Sequence, residues 1–144
     1  MPYIKEERRE ELASRLNEVQ SIIDNEVAFT FTEILHHIVS TISPDMFKNP
    51  NELSSGDMNY LITQCCLYYL SKTEGRYADH QEIVDSLFEV RDSLPDHTAI
   101  IDNRRRRGAL LCCALEFYRR KVAPYEEKCI QKNGDVYSTK EEER

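Results

Sequence analysis

The chain has no tryptophan, and only four glycines and five prolines in 144 residues. So few turn formers exclude an all-β fold, which needs many tight turns. Long polar linkers are also missing, which excludes extensive disorder. No apolar run approaches the roughly 18 residues of a membrane span. Positive charge is in deficit: 19 Lys and Arg stand against 26 Asp and Glu, a formal net charge of −7. A protein that grips extended DNA or RNA draws its affinity from cations at phosphates. Whole-surface binding to nucleic acid is therefore not expected, although a local basic site is allowed. There is no Walker loop, no G-x-G-x-x-G, no H-E-x-x-H and no closely spaced cysteine pair of the zinc type. "MPYIKEERREEL" is charged from residue 5, so it offers no apolar secretory segment. Five cysteines, an odd number, fit a reducing cytosol.

What is present is helical patterning. Hydrophobic residues make up 40% of the chain and charged residues 31%, enough for one core under a solvated surface. Leu12, Leu16, Val19 and Ile23 recur at helical spacing over 5–24, with Glu and Arg opposite. This narrow stripe suits a helix laid on a bundle or paired with a second copy. Thr30 with Glu33 forms a capping-box pattern before a helix over 31–42, with Phe31, Ile34, Leu35, Ile38 and Ile42 inward. Ser43-Pro44 ends it. A loop follows, with Pro44, Pro50 and Gly56, in which Met46 and Phe47 pin the chain to the core. A third helix is expected over 57–72, carrying Leu61, Ile62, Cys65, Tyr68 and Tyr69. Gly75 ends it. Asp79 with Glu82 reads as a capping box for a helix over 80–93 with Ile83, Leu87, Val90 and Leu94 inward. Pro95 breaks it. A last long helix is expected over 97–122, closed by Pro124, with a short helix over 124–132 and a stop at Asn133-Gly134. The expected fold is all-α: a single-domain bundle of about five helices over 1–137, oligomeric, with a charged tail at 138–144.

The feature that stands out in this acidic chain is "DNRRRRGALLCC" (102–113). Leu111, Leu115, Tyr118 and Val122 follow i, i+4, i+7, i+11. Extended backwards, that stripe reaches Gly108, Arg107 and Arg104, so two arginines share the expected core line, and Arg105 and Arg106 fall to the sides. They can snorkel to water or pair with carboxylates. They can face another subunit. Or they can line an anion pocket, since a guanidinium fork matches phosphate bidentately. Gly108 would let a ligand or second backbone approach closely. Arg119, Arg120 and Lys121 form a second basic cluster, whose simpler role is to complement a helix C-terminus.

The adjacent pairs Cys65-Cys66 and Cys112-Cys113 point about 100° apart on a helix and cannot chelate one ion. They read as core thiols. His36-His37 lies among apolar residues and reads as structural. No metal, cofactor or catalytic group is assigned. Tyr60, Tyr68, Tyr69, Tyr77, Tyr118 and Tyr125 can pack a core, fill an interface or stack on a base.

Three segments resemble a family of short proteins encoded mainly by bacteriophages and prophages: "GDMNYLITQ" (56–64), "RYAD" (76–79) and "ALEFYRRKVAPYEEKCIQKNGDVY" (114–137). The pattern they match runs G-D-x-N-Y-x-I-T, then L-E-F-Y-R-R, A-P-Y-E-D and N-G-D-V-Y. The resemblance implies a viral setting and no particular activity. The stretch near 84–107, with Pro95 and the arginines, is additional to that pattern. Leu111 stands where the pattern has Glu, and Ala114 where it has Lys. No role from the resemblance therefore transfers to the arginines.

Together these readings predict a non-enzymatic binding protein of the host-cell cytosol, with a counter-defence role. It would sequester a small anionic nucleotide signal. Arg104, Arg105 and Arg107, with Arg119 and Arg120, would hold phosphate beside Gly108, and Tyr118 would stack on the base. The alternative is a protein inhibitor whose acidic amphipathic helices, chiefly 5–24, dock on a host defence protein.

Overall fold

The computed structural model describes residues 4–25, 30–42, 53–73, 76–94 and 100–135, with the backbone alone described for residue 77 and residues 100–104. The expected loop residues Pro44, Met46, Phe47 and Pro50, the breaks at Gly75 and Pro95, and the tail at 138–144 lie outside the described residues, whereas Gly56, expected in that loop, lies in the helix Ser55–Ser71. The protein is a single all-α domain, and no strand occurs among the described residues.

Helix α1 spans Glu6–Glu11 and α2 spans Ala13–Asn25, separated at Leu12, whose φ −88° and ψ 0° open one turn. Glu6 and Glu7 in the first turn of α1 and Arg8 and Arg9 in its last both suit the helix dipole. Leu12, Val19 and Ile23 are buried, and Leu16 packs beside them. The narrow stripe is thus laid on the bundle. Helix α3, Phe31–Ile42, begins where the Thr30 hydroxyl accepts the Glu33 N–H at 3.3 Å. It buries the five expected side chains and Val39 as well. Fully burying each such chain contributes about 1.5–3 kcal/mol, so α3 anchors the core.

Helix α4, Ser55–Ser71, starts with a complete capping box. The Asp57 N–H donates to the Ser54 hydroxyl at 3.1 Å, and the Ser54 N–H donates to the Asp57 carboxylate at 3.0 Å. Helix α5, Tyr77–Ser93, starts three residues before the expected 80, because Asp79 closes the turn from inside by accepting the Arg76 N–H at 2.9 Å. Thr32 of α3 donates to the buried Ser86 hydroxyl of α5 at 2.9 Å.

Helix α6 covers Ile100–Phe117 and runs without a break through a π-helical turn, Tyr118–Val122, into α7, Ala123–Asn133. The expected stop at Pro124 does not occur. Pro124 lies in the first turn of α7, and the widened turn before it relieves the clash with the preceding carbonyls. Gly134, at φ 90°, ends the rod as expected from Asn133-Gly134. The helices close a ring in the order α2, α4, α6, α5, α3 and back to α2.

The phase of α6 overturns one expectation. Among its described side chains the buried ones are Ala109, Leu110, Cys113, Ala114 and Phe117. Leu115 is 57% exposed and Tyr118 40% exposed, although both were placed on the core line. The helix carries two apolar stripes at the same spacing, one residue apart, so periodicity cannot choose between them. The small residues Ala109, Cys113 and Ala114 let α4 and α5 approach closely, which favours the inner stripe. Val122 is buried all the same, because the π turn adds a residue per turn and brings it into line below Phe117.

Candidate functional site

The new phase redistributes the arginine run. Arg106 and Arg107 are both half-buried, and Arg105 is exposed. The Arg104 side chain lies outside the described residues. Arg107 donates from Nη2 to the Leu94 carbonyl at 2.6 Å, at the C-terminal end of α5. There a guanidinium satisfies an end carbonyl and meets the negative pole of the helix. Arg107 thus makes a structural bond to the end of α5. Gly108 is exposed, and a Cβ there would meet nothing within 4 Å. Tyr118 donates its hydroxyl to Glu126 across the π turn. Arg119 and Arg120 both donate to Glu116, Arg120 from Nε at 2.8 Å.

The arginine run and the 118–120 cluster are therefore not one site. The structure instead brings Arg120 into a groove of about 370 Å³ between α1, α4 and the junction of α6 with the π turn. Such a volume falls within the range of small-molecule sites. The walls are Tyr60, Leu67 and Phe117, the floor includes Thr63 and Cys113, and the rim carries Arg9, Arg120 and Lys121. The Arg9 guanidinium lies 5.9 Å from the centre of the Tyr60 ring. Among the described lining residues Glu116 is the one carboxylate, so three cations meet one anion there, against the negative balance of the whole chain.

Each wall is set from below. The buried Asn59 donates from Nδ2 to the Ala109 carbonyl at 3.4 Å and accepts from the Thr63 hydroxyl at 3.4 Å. The Cys113 thiol donates to the Asn59 side-chain oxygen at 3.4 Å. This knot fixes α4 against α6 under the groove. On the α1 side, Arg8 grips the buried Asp57 with two bonds, Nε at 3.1 Å and Nη2 at 2.7 Å. Burial opposes the Asp57 charge, but the bonds from Arg8 and Ser54 outweigh it, so the carboxyl sits below the usual range. That clasp holds α1, and with it Arg9, over the groove. The π turn holds the other rim: five residues in one wide turn present Arg120 and Lys121 together.

Burial pushes the Cys113 and Cys65 thiols up to about 12, and that of Cys66 up as well. The thiol in the groove therefore stays protonated and is no nucleophile at neutral pH. Among the described residues, no three of His, Cys, Asp and Glu converge as metal ligands.

Sequence reasoning placed Arg120 in the candidate site, named Lys121 in the same basic cluster and Tyr60 among the tyrosines able to stack on a base, but did not bring the three together, and it missed Arg9. The signal was present in scattered form. The segments 56–64 and 114–125, quoted above for their resemblance, supply most of the groove.

The fold and the groove define an all-α bundle with a small cationic cleft. The sequence matches the family described as Domain of unknown function (DUF6899), over residues 1–100 and 101–136, and the chain belongs to that family. The match includes the stretch near 84–107 set aside above as additional. No curated protein and no solved structure matches the chain. No described helix is long and apolar enough to cross a membrane.

Proposed function

We propose that this protein binds, without chemical turnover, a small anionic ligand that also carries a planar ring, a nucleotide in kind. The site is the α1–α4–α6 groove. The observation that carries this reading is the meeting of Arg9, Arg120 and Lys121 over walls of Tyr60, Phe117 and Leu67. Cations suit phosphate, and an aromatic wall suits a base. Glu116 orients Arg120, and the protonated Cys113 thiol offers no covalent chemistry. Arg105 and Arg107 leave the proposed site, and Arg120 stays in it.

The setting we propose is a phage protein in the host cytosol that sequesters a nucleotide signal of host defence. The motif resemblance at 56–64 and 114–137 supports that setting. Docking on a host protein through the N-terminal helix is less favoured, because Leu12, Val19 and Ile23 already face the core.

The test is thermal denaturation across a panel of mono-, cyclic and dinucleotides and ADP-ribose derivatives. A ligand at a hundred times its Kd should add about 2.7 kcal/mol of stability. Arg9→Ala combined with Arg120→Ala should remove the shift, whereas Arg105→Ala should keep it. Ligand released by heat should be recovered unchanged. No shift with any panel member, or a shift that survives the groove double variant, would overturn the reading.

A further inference from the structure

We infer that Gln64 reads the edge of the ring bound in the groove, and that this ring is adenine. The inference rests on the ligand reading of the groove given above and names its ligand class. Tyr60, Gln64 and Leu67 follow i, i+4, i+7 on α4, so Gln64 stands between two of the walls. Its side chain is half-buried. Its polar neighbours Thr63, Cys113 and Glu116 are committed inside the protein. The Thr63 hydroxyl and the Cys113 thiol both donate to the Asn59 side-chain oxygen. Glu116 accepts from Arg119 and Arg120. Gln64 makes no hydrogen bond among the described residues. Its amide donor and acceptor are both left for a ligand.

The chemistry of that amide selects the ring. A primary amide sets an N–H donor beside a carbonyl acceptor, so it matches a ring edge with an acceptor beside a donor. Adenine has that edge in N7 and the N6 amine, and glutamine pairs with it bidentately. The same edge of guanine carries only acceptors, N7 and O6, so the amide carbonyl would face a lone pair. A plain aromatic anion would leave the amide unpaired, which costs affinity. The rim cations Arg9, Arg120 and Lys121 carry no information about the ring. Charge and base are thus read by different residues.

Titration calorimetry on the full chain tests this with adenosine monophosphate, its purine riboside analogue lacking the N6 amine, and ribose 5-phosphate. The wild type should bind adenosine monophosphate about tenfold more tightly than the analogue. In Gln64→Leu that ratio should fall to about one, with ribose 5-phosphate binding unchanged. Gln64→Met, which keeps the length without the amide, should behave alike, with native helix content in both variants. A wild-type ratio near unity, a ratio that survives both variants, or tighter binding of guanosine or cytidine monophosphate overturns the inference and leaves the groove reading in place. Loss of ribose 5-phosphate binding in both variants gives Gln64 a structural role and overturns it equally. If another nucleotide binds through Arg9 and Arg120 and adenosine monophosphate does not, the inference alone falls. If no nucleotide binds, the inference and the groove reading fall together.

Discussion

Asp57→Ala is the substitution from which the structure predicts the most. The carboxylate of Asp57 completes the cap of α4 and also clasps Arg8, joining α1 to α4. Losing the cap should cost about 1 kcal/mol. Losing Arg8 adds less than a fully buried pair would, because the Arg8 side chain is 34% exposed and water screens it. A further 1–2 kcal/mol, roughly, is the share expected of such a partly exposed, doubly bonded pair. The total, about 2–3 kcal/mol, corresponds to a fall in Tm of about 6–12 °C for a chain of this size. Circular dichroism melts at pH 7 measure it. The sign with pH follows from the depressed folded-state pKa. The native state binds fewer protons than the unfolded chain, so the charge-dependent stability is present above about pH 4, the ordinary Asp value. It is lost as pH falls through the folded pKa. The gap between wild type and Asp57→Ala should therefore narrow in acid. A Tm change within error at pH 7, or a gap that stays constant down to strong acid, would refute the clasp.

Leu110→Ala should cost about 2–5 kcal/mol because the side chain is fully buried, whereas Leu115→Ala should cost under about 0.5 kcal/mol in the monomer; urea unfolding reads both, and equal costs would contradict the phase of α6. Arg107→Met should lower stability by about 1–2 kcal/mol and speed amide exchange at the C-terminal end of α5; unchanged exchange there would remove the role of the bond to Leu94. Native thiol titration should label the exposed Cys112 quickly and leave Cys65, Cys66 and Cys113 unreacted until denaturant is added, since burial holds their thiols protonated.

Much of the architecture was legible locally. The Thr30 cap fixed the start of α3, and its apolar run fixed the buried face. Asn133-Gly134 marked the end of α7. In each case the cause lies within a few residues of its effect. Pro124 misled because a proline stops a helix only if the preceding turn keeps its ordinary width. The π turn removes that conflict, and nothing in the local pattern signals it.

The sequence by itself determined an acidic all-α bundle, most helix limits and the inward faces of α2, α3 and α5. Each of those helices carries one apolar stripe, so only one face can be buried. The tertiary structure decided which of two stripes on α6 faces inward. That depends on whether Ala109, Cys113 and Ala114 fit against α4 and α5, a property of the pair of surfaces and not of either alone. The choice moved Arg107 onto the end of α5 and turned Leu115 outward. The groove was decided the same way, because Arg9, Tyr60 and Arg120 become neighbours only when α1, α4 and the π turn pack together.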